Sequence, residues 1–249
     1  MSRMRILVVN PNTTVSMTEK AAEAARLVAA PGTTIMAATA AMGPASIEGH
    51  YDGALALPGL LAAIRDGEAA GAEAAVIACF DDTGLDAARS LASMPVLGLC
   101  ESALVTAGFL AQRFTVVTTL ERSRVLLENL TRHYGFGGRA KVRAADIPVL
   151  DLEKEGSGAL DKLRHQIERA LADDGAEAIV LGCAGMADLA HDLQTIYRVP
   201  VIDGVSAAVK QAEALIAQRL TTSKRGSYAT PLAKAYSGAL RDFAPTATS

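Results

Sequence analysis

A stretch that recurs 104 residues further along (183 − 79) limits what this chain can fold into. GAEAAVIAC, from Gly71 to Cys79, returns as GAEAIVLGC, from Gly175 to Cys183, with six of nine positions identical. After the shared Glu, each copy is an uncharged run of Ala, Val, Ile and Leu, the pattern of a strand buried on both faces. Each run ends on a cysteine. A strand that ends on a reactive side chain carries it to the carboxyl edge of a sheet, where open α/β sheets bind ligands. Two such strands point to two thiols facing one pocket.

The echo extends beyond the strands. RILVVN at 5–10 matches RFTVVT at 113–118 in type and position. Met-Pro-Val at 94–96 matches Val-Pro-Val at 199–201, and Ala-Gln-Arg occurs at both 111–113 and 217–219. The chain therefore reads as two copies of β-α-β-α-β-α-β-α, a duplicated α/β unit with parallel sheets. In the first copy a Ser16–Glu19 capping box should start a helix running to about Ala29. A strand over 33–39 follows, then a long loop over 41–53, helices over 53–70, 83–92 and 102–112, and a short strand at 96–99. The second copy repeats the order, with helices over 121–134, 159–172, from Cys183 to 196, and 206–220. Beyond 221 the pattern weakens to one helix over 232–242 and a disordered end, 244–249.

Charge and composition exclude several classes. Net charge is −3 and pI about 5.8, with no basic run or aromatic–basic alternation, so a nucleic-acid partner is not expected. No apolar run approaches the roughly 18 residues of a membrane span. The N-terminus reads as the first core strand rather than an export signal, so the expected location is the cytoplasm. The three cysteines are widely spaced, without C-x-x-C and without His at ligand spacing. They are expected to be free thiols, not a disulfide framework or a metal site.

A duplicated buried Cys is compatible with packing alone. The flanking residues favour chemistry. The strands match, yet Phe80-Asp81-Asp82 follows one cysteine and Ala184-Gly185-Met186 the other, as one pocket with two unlike walls requires. Two thiols across a substrate can invert a carbon centre: a thiolate removes a proton from one face and a thiol delivers one to the other. This needs a thiolate held by backbone N–H groups and helix N-termini. It also needs N–H donors on the developing enolate, which the turns after Cys79 and Cys183 would supply.

Other residues reach the same sheet edge. Asn10 and Asn12 either shape the Asn-Pro-Asn turn or bond a substrate amide. Thr118 and Thr119 are their counterparts. Asp81 either binds a ring N–H or caps the following helix. Pro44 and Ile47 either line a side-chain pocket or shape the long loop. Glu48 and His50 read as solvated, and Cys100, which has no echo, as core.

NPNTT at 10–14, GPASIEGHYD at 43–52, ACFDDTGLDAAR at 78–89, VVTTLERS at 116–123, IVLGCAGM at 179–186 and PVIDGVSAAVK at 200–210 together resemble the aspartate/glutamate racemase superfamily, and within it the hydantoin racemases. The resemblance implies two pseudo-symmetric, doubly wound α/β domains with the site in the cleft between them. The corresponding division is 1–98 with 207–249, and 99–206. It also implies cofactor independence, Cys79 and Cys183 as the acid/base pair, and a homo-oligomer. The amino-acid racemases of the superfamily resemble one another in carrying Asn-Thr or Thr-His after their cysteines. Here Phe80-Asp81 and Ala184-Gly185 make a less polar wall. That favours a neutral small-molecule substrate, a 5-substituted hydantoin, with allantoin as the near alternative. The competing class is a two-lobed binding protein or sensor.

Overall fold

The computed structural model describes residues 4–154 and 156–245. The first half holds β1 (Met4–Asn10), α1 (Val15–Val28), β2 (Thr33–Thr39), α2 (His50–Ala69), β3 (Ala74–Ile77), α3 (Leu85–Leu91), β4 (Val96–Gly98) and α4 (Leu99–Leu110). The second holds β5 (Phe114–Thr118), α5 (Glu121–His133), β6 (Ala140–Ala144), α6 (Ala159–Asp173), β7 (Ala178–Gly182), α7 (Ala190–Tyr197), β8 (Val201–Asp203) and α8 (Gly204–Ala217). Each half forms one four-stranded parallel sheet, ordered β2-β1-β3-β4 and β6-β5-β7-β8. The apolar runs explain why: β3 and β7 are buried along their whole length, as central strands covered on both faces must be.

In each sheet the chain reverses direction between the two central strands. β1 is followed by β2 on one side and flanked by β3 on the other, and β5 stands likewise between β6 and β7. A crevice opens at the carboxyl ends of such a pair. It falls beyond Asn10 and Ile77 in one sheet and beyond Thr118 and Gly182 in the other.

The last helix of each half packs on the other half's sheet. α4 lies against β7 and β8, and α8 lies against β1, β3 and β4. Ile6, Val8, Val76, Val116, Val180 and Val209 share one core between the sheets. Separate cores cover the outer faces, around Leu60 and Ile77 in the first sheet and Ile167 and Leu181 in the second. Gly204 permits the crossover: a Cβ there would stand 2.7 Å from Leu99 Cβ and 2.8 Å from the Leu99 carbonyl oxygen.

Some element limits differ from the sequence reading. α1 is N-capped by Thr14, not Ser16. Asn12 Oδ1 accepts from the Thr14 N–H at 2.9 Å, so the helix is set by the Asn turn. β3 stops at Ile77, two residues before Cys79. Cys183 is followed by a 3-10 helix, Ala184–Leu189, before α7 begins. In the tail, residues 232–242 do not form a helix; one 3-10 turn covers Gly238–Phe243. Thr222 Oγ1 donates to the Met94 carbonyl at 2.8 Å and Tyr228 Oη to Asp86 at 2.8 Å, so the start of the tail is held against the first half. Of the segment expected to be disordered, 246–249 lie outside the described residues.

Candidate active site

The two crevices face one another and merge into one narrow cleft, part of it open to solvent. Asn12, Ile47, Cys79, Phe80 and Asp81 line it from the first half. Thr118, Thr119, Cys183 and Ala184 line it from the second. Cys79 and Cys183 are both half-buried, whereas Cys100 is fully buried in the core.

Cys79 sits in a tight turn. Its N–H donates to the Ile77 carbonyl at 2.8 Å, and its own carbonyl accepts from the Asp82 N–H at 3.2 Å. The turn wraps the thiol, which lies 3.5 Å from Thr83 Oγ1 and accepts the Asp81 backbone N–H. Helix α3 does not begin until Leu85, six residues on (85 − 79). Thus hydroxyl and amide donors, rather than a helix N-terminus directly behind it, face this sulfur. Cys183 directly follows β7 and N-caps its 3-10 helix. Gly182 makes that possible: a Cβ would stand 2.9 Å from Thr118 Cα, so β5 and β7 meet closely beneath the thiol.

Three residues singled out from the sequence stand behind the cleft. Asn10 is buried, and its amide donates to Asn12 Oδ1 at 2.8 Å, the Thr14 carbonyl at 3.0 Å and Thr18 Oγ1 at 3.1 Å. It organises the turn that aims Asn12. Pro44 anchors the long loop, its carbonyl accepting from the Thr13 N–H at 3.0 Å. Gly185 lies beside Cys183, where a Cβ would be 3.7 Å from Sγ and 3.1 Å from Leu152 Cδ1. The cleft also takes Met17, Ser123 and Val149, which the sequence reading did not include. Ser123 follows the Thr118-Thr119 pair closely enough to have been found. Val149 arrives at the start of a 3-10 helix, Val149–Glu153, with no local signal.

Burial is the main influence on the charges here. It pushes the Cys79 thiol well above the ordinary thiol range; the Asp81 carboxylate adds to this, and the Thr83 hydroxyl and Asp81 N–H oppose it. Burial also raises Asp81 to about 6, with His50 pulling it down. Capping falls to Asp82 rather than Asp81, and the helix it caps is α4: its oxygens accept the Cys100 and Glu101 N–H groups at 2.9 Å each.

A raised carboxyl pKa favours folding below the unfolded value, and that contribution is lost as pH rises through the folded value. Asp81→Asn removes the burden of the buried charge. The variant is expected to gain about 2 kcal/mol at pH 8, roughly 4–8 °C in Tm, with the gain shrinking steadily toward pH 4. The pH profile of thiolate reactivity at Cys79 should also shift toward lower pH, because Asp81 no longer opposes thiolate formation there. Thermal melts and rate profiles over the same pH series check both.

Among the described residues, no group of three or more His, Cys, Asp or Glu side chains is placed to hold a metal. Among the described residues, no helix is long and apolar enough to cross a membrane.

The sequence pattern of the family described as Asp/Glu/Hydantoin racemase matches residues 6–212. The chain belongs to this family. Hydantoin racemase from Rhizobium meliloti is 52 % identical over 236 residues, 94 % of this chain and 98 % of that one. Hydantoin racemase from a Pseudomonas species is 46 % identical over 241 residues, 96 % of this chain and 97 % of its own. Among solved structures, allantoin racemase from Klebsiella pneumoniae is similar at a TM-score of 0.94 and 49 % identity, covering 98 % of this chain and 100 % of that one. The chain is a racemase, and its two four-stranded parallel sheets are the family's fold.

Proposed function

We propose that this racemase interconverts the D and L forms of 5-monosubstituted hydantoins by exchanging the carbon-5 proton between Cys79 and Cys183. The observation that carries the reading is the arrival of two thiols, neither of them in a disulfide, from the third strand of each sheet in one cleft. One sulfur, as thiolate, takes the proton. The C–H electron pair moves onto the adjacent carbonyl as an enolate. The other sulfur, as thiol, returns its proton to the opposite face. The enzyme leaves the cycle with the two protonation states exchanged, ready for the reverse reaction.

The walls suit such a ring. Asn12 Nδ2 faces Met17 Sδ at 3.4 Å, and a thioether is a weak acceptor. A substrate carbonyl can replace it at little cost and gain a donor where the enolate charge develops. The Thr118 and Thr119 hydroxyls supply further polar contacts. Ile47, Phe80 and Ala184 receive an apolar substituent, and Asp81 accepts a ring N–H.

Allantoin is the second reading. It is supported by the likeness to allantoin racemase and by Asp81, whose carboxylate can accept from a ureido N–H as well as from a ring N–H. Incubating the protein in deuterated water with an enantiopure 5-alkyl hydantoin, and separately with allantoin, tests both. Loss of the carbon-5 proton in step with loss of optical rotation is expected for the hydantoin. Faster exchange of allantoin would assign that substrate instead. Binding without exchange of either would remove both substrates from the reading.

A further inference from the structure

We propose that Asp82 and Tyr134 form a positioning pair that fixes the turn bearing Cys79 and holds it in register with the opposite wall. The inference rests on the two-thiol reading above. Asp82 is 5 % exposed, and its carboxylate gathers three donors from two elements. Oδ1 accepts the Cys100 N–H and Oδ2 the Glu101 N–H, both in the first turn of α4. Oδ2 also accepts the Tyr134 hydroxyl at 2.8 Å, and Tyr134 is the C-cap of α5 in the second half. The first turn of α5 presents Ser123 to the cleft. One carboxylate therefore links the Cys79 turn to a helix of the facing wall.

Capping alone does not require this arrangement, as the second copy demonstrates. There Asp203, at the end of β8, accepts the Ser206 N–H at 2.7 Å and caps α8 locally. The equivalent of Asp82, at 82 + 104, is Met186, which is buried and apolar. The equivalent of Asp203 in the first copy is Gly98. A Cβ on Gly98 would stand 2.4 Å from the Asp82 carboxyl carbon, so a local capping side chain there and the Asp82 bridge exclude each other. The first copy carries its acid on the thiol turn instead. Asp82 also adopts a left-handed φ of 48°, strained for a residue with a side chain. It is held by the turn bond from its N–H to the Cys79 carbonyl and by the three side-chain bonds. Only one of the two thiol turns is braced in this way.

An asymmetric brace predicts an asymmetric defect. Misplacing a reacting group by about 1 Å can cost roughly 100-fold. Tyr134→Phe removes only the hydroxyl donor, and Asp82→Asn keeps the volume but cannot accept at both carboxylate positions. Both variants are expected to lose roughly 10- to 100-fold in kcat, with KM changed less than about threefold. The carbon-5 deuterium isotope effect on kcat/KM should rise for the enantiomer that Cys79 deprotonates and fall toward unity for its mirror image, whose enolate Cys79 must reprotonate. Thermal melts report the folded fraction, and if Asp82→Asn fails to fold, Tyr134→Phe decides. Wild-type kcat, or a loss matching the folded fraction with both isotope effects unchanged, would overturn the pair. Cys79→Ala is run alongside: if it still racemises, the two-thiol reading fails first, whereas an inactive Cys79→Ala with a normal Tyr134→Phe removes only this inference.

Discussion

Replacing either Cys79 or Cys183 with Ala is expected to lower racemisation roughly 1000-fold or more, the upper part of the range for a lost general acid or base. The two losses should be similar. On the proposed two-thiol mechanism, each turnover needs a base on one face of carbon 5 and an acid on the other, and reversing the direction only exchanges the roles. Neither enantiomer keeps a complete pair after one sulfur is gone. Exchange without inversion is a different matter. The remaining sulfur can still remove the proton that faces it and return a deuteron to the same face. In deuterated water each variant should therefore label one enantiomer with retention and leave the other unlabelled, and the two variants should label opposite enantiomers. Chiral separation followed by proton spectra reads this directly. Racemisation by Cys79→Ala at the wild-type rate would remove the thiols from the mechanism.

The duplication made the fold readable, because two equivalent apolar runs ending on Cys79 and Cys183 leave few arrangements other than two parallel sheets with facing edges. What the sequence obscured was local. Ser16 and Glu19 have capping-box spacing, yet the Asn12 side chain bonds the Thr14 N–H and fixes the helix start earlier. α4 and α8 also begin before the sequence reading placed them, at Leu99 and Gly204. Asp203 caps α8 from the residue next to the helix, but the cap of α4 is a carboxylate 17 residues upstream of the helix start (99 − 82), which no local pattern reveals. In the cleft, positions next to the cysteines followed from the strand ends. Asn10 did not, because its amide is turned inward by three acceptors that only the folded loop brings together. Val149 and Met17 enter through tertiary packing of segments whose own sequence is neutral on the point.

The long loop over 40–49 is the other element on which the site depends, and Gly59 is where it is seated. Ala in place of Gly inside a helix ordinarily gains about 1 kcal/mol. Gly59 is in the middle of α2, but its ideal Cβ would stand 2.1 Å from the Met42 carbonyl oxygen and 3.1 Å from Ala40 Cβ. The first of these is backbone and cannot swing aside as a side chain would. The loop is also tied at three points: the Ala40 N–H to the Asn10 carbonyl at 3.0 Å, the Thr13 N–H to the Pro44 carbonyl at 3.0 Å, and Thr14 Oγ1 to the Ala45 carbonyl at 2.7 Å. Overpacking costs about 1–3 kcal/mol, and each displaced tie about 1 kcal/mol more. The clash therefore outweighs the helix gain, and Gly59→Ala should lose roughly 2–4 kcal/mol, about 4–15 °C in Tm. Ile47, carried into the cleft by this loop, moves with it, so KM for a 5-alkyl hydantoin should rise more than kcat falls. Gly53→Ala in the same helix is the control, since its Cβ would meet only Thr83 Cγ2 at 3.9 Å, and it should be neutral or slightly stabilising. If Gly59→Ala stabilises as much as Gly53→Ala, the loop is not seated on α2 in solution, and Ile47 does not form part of the substituent wall.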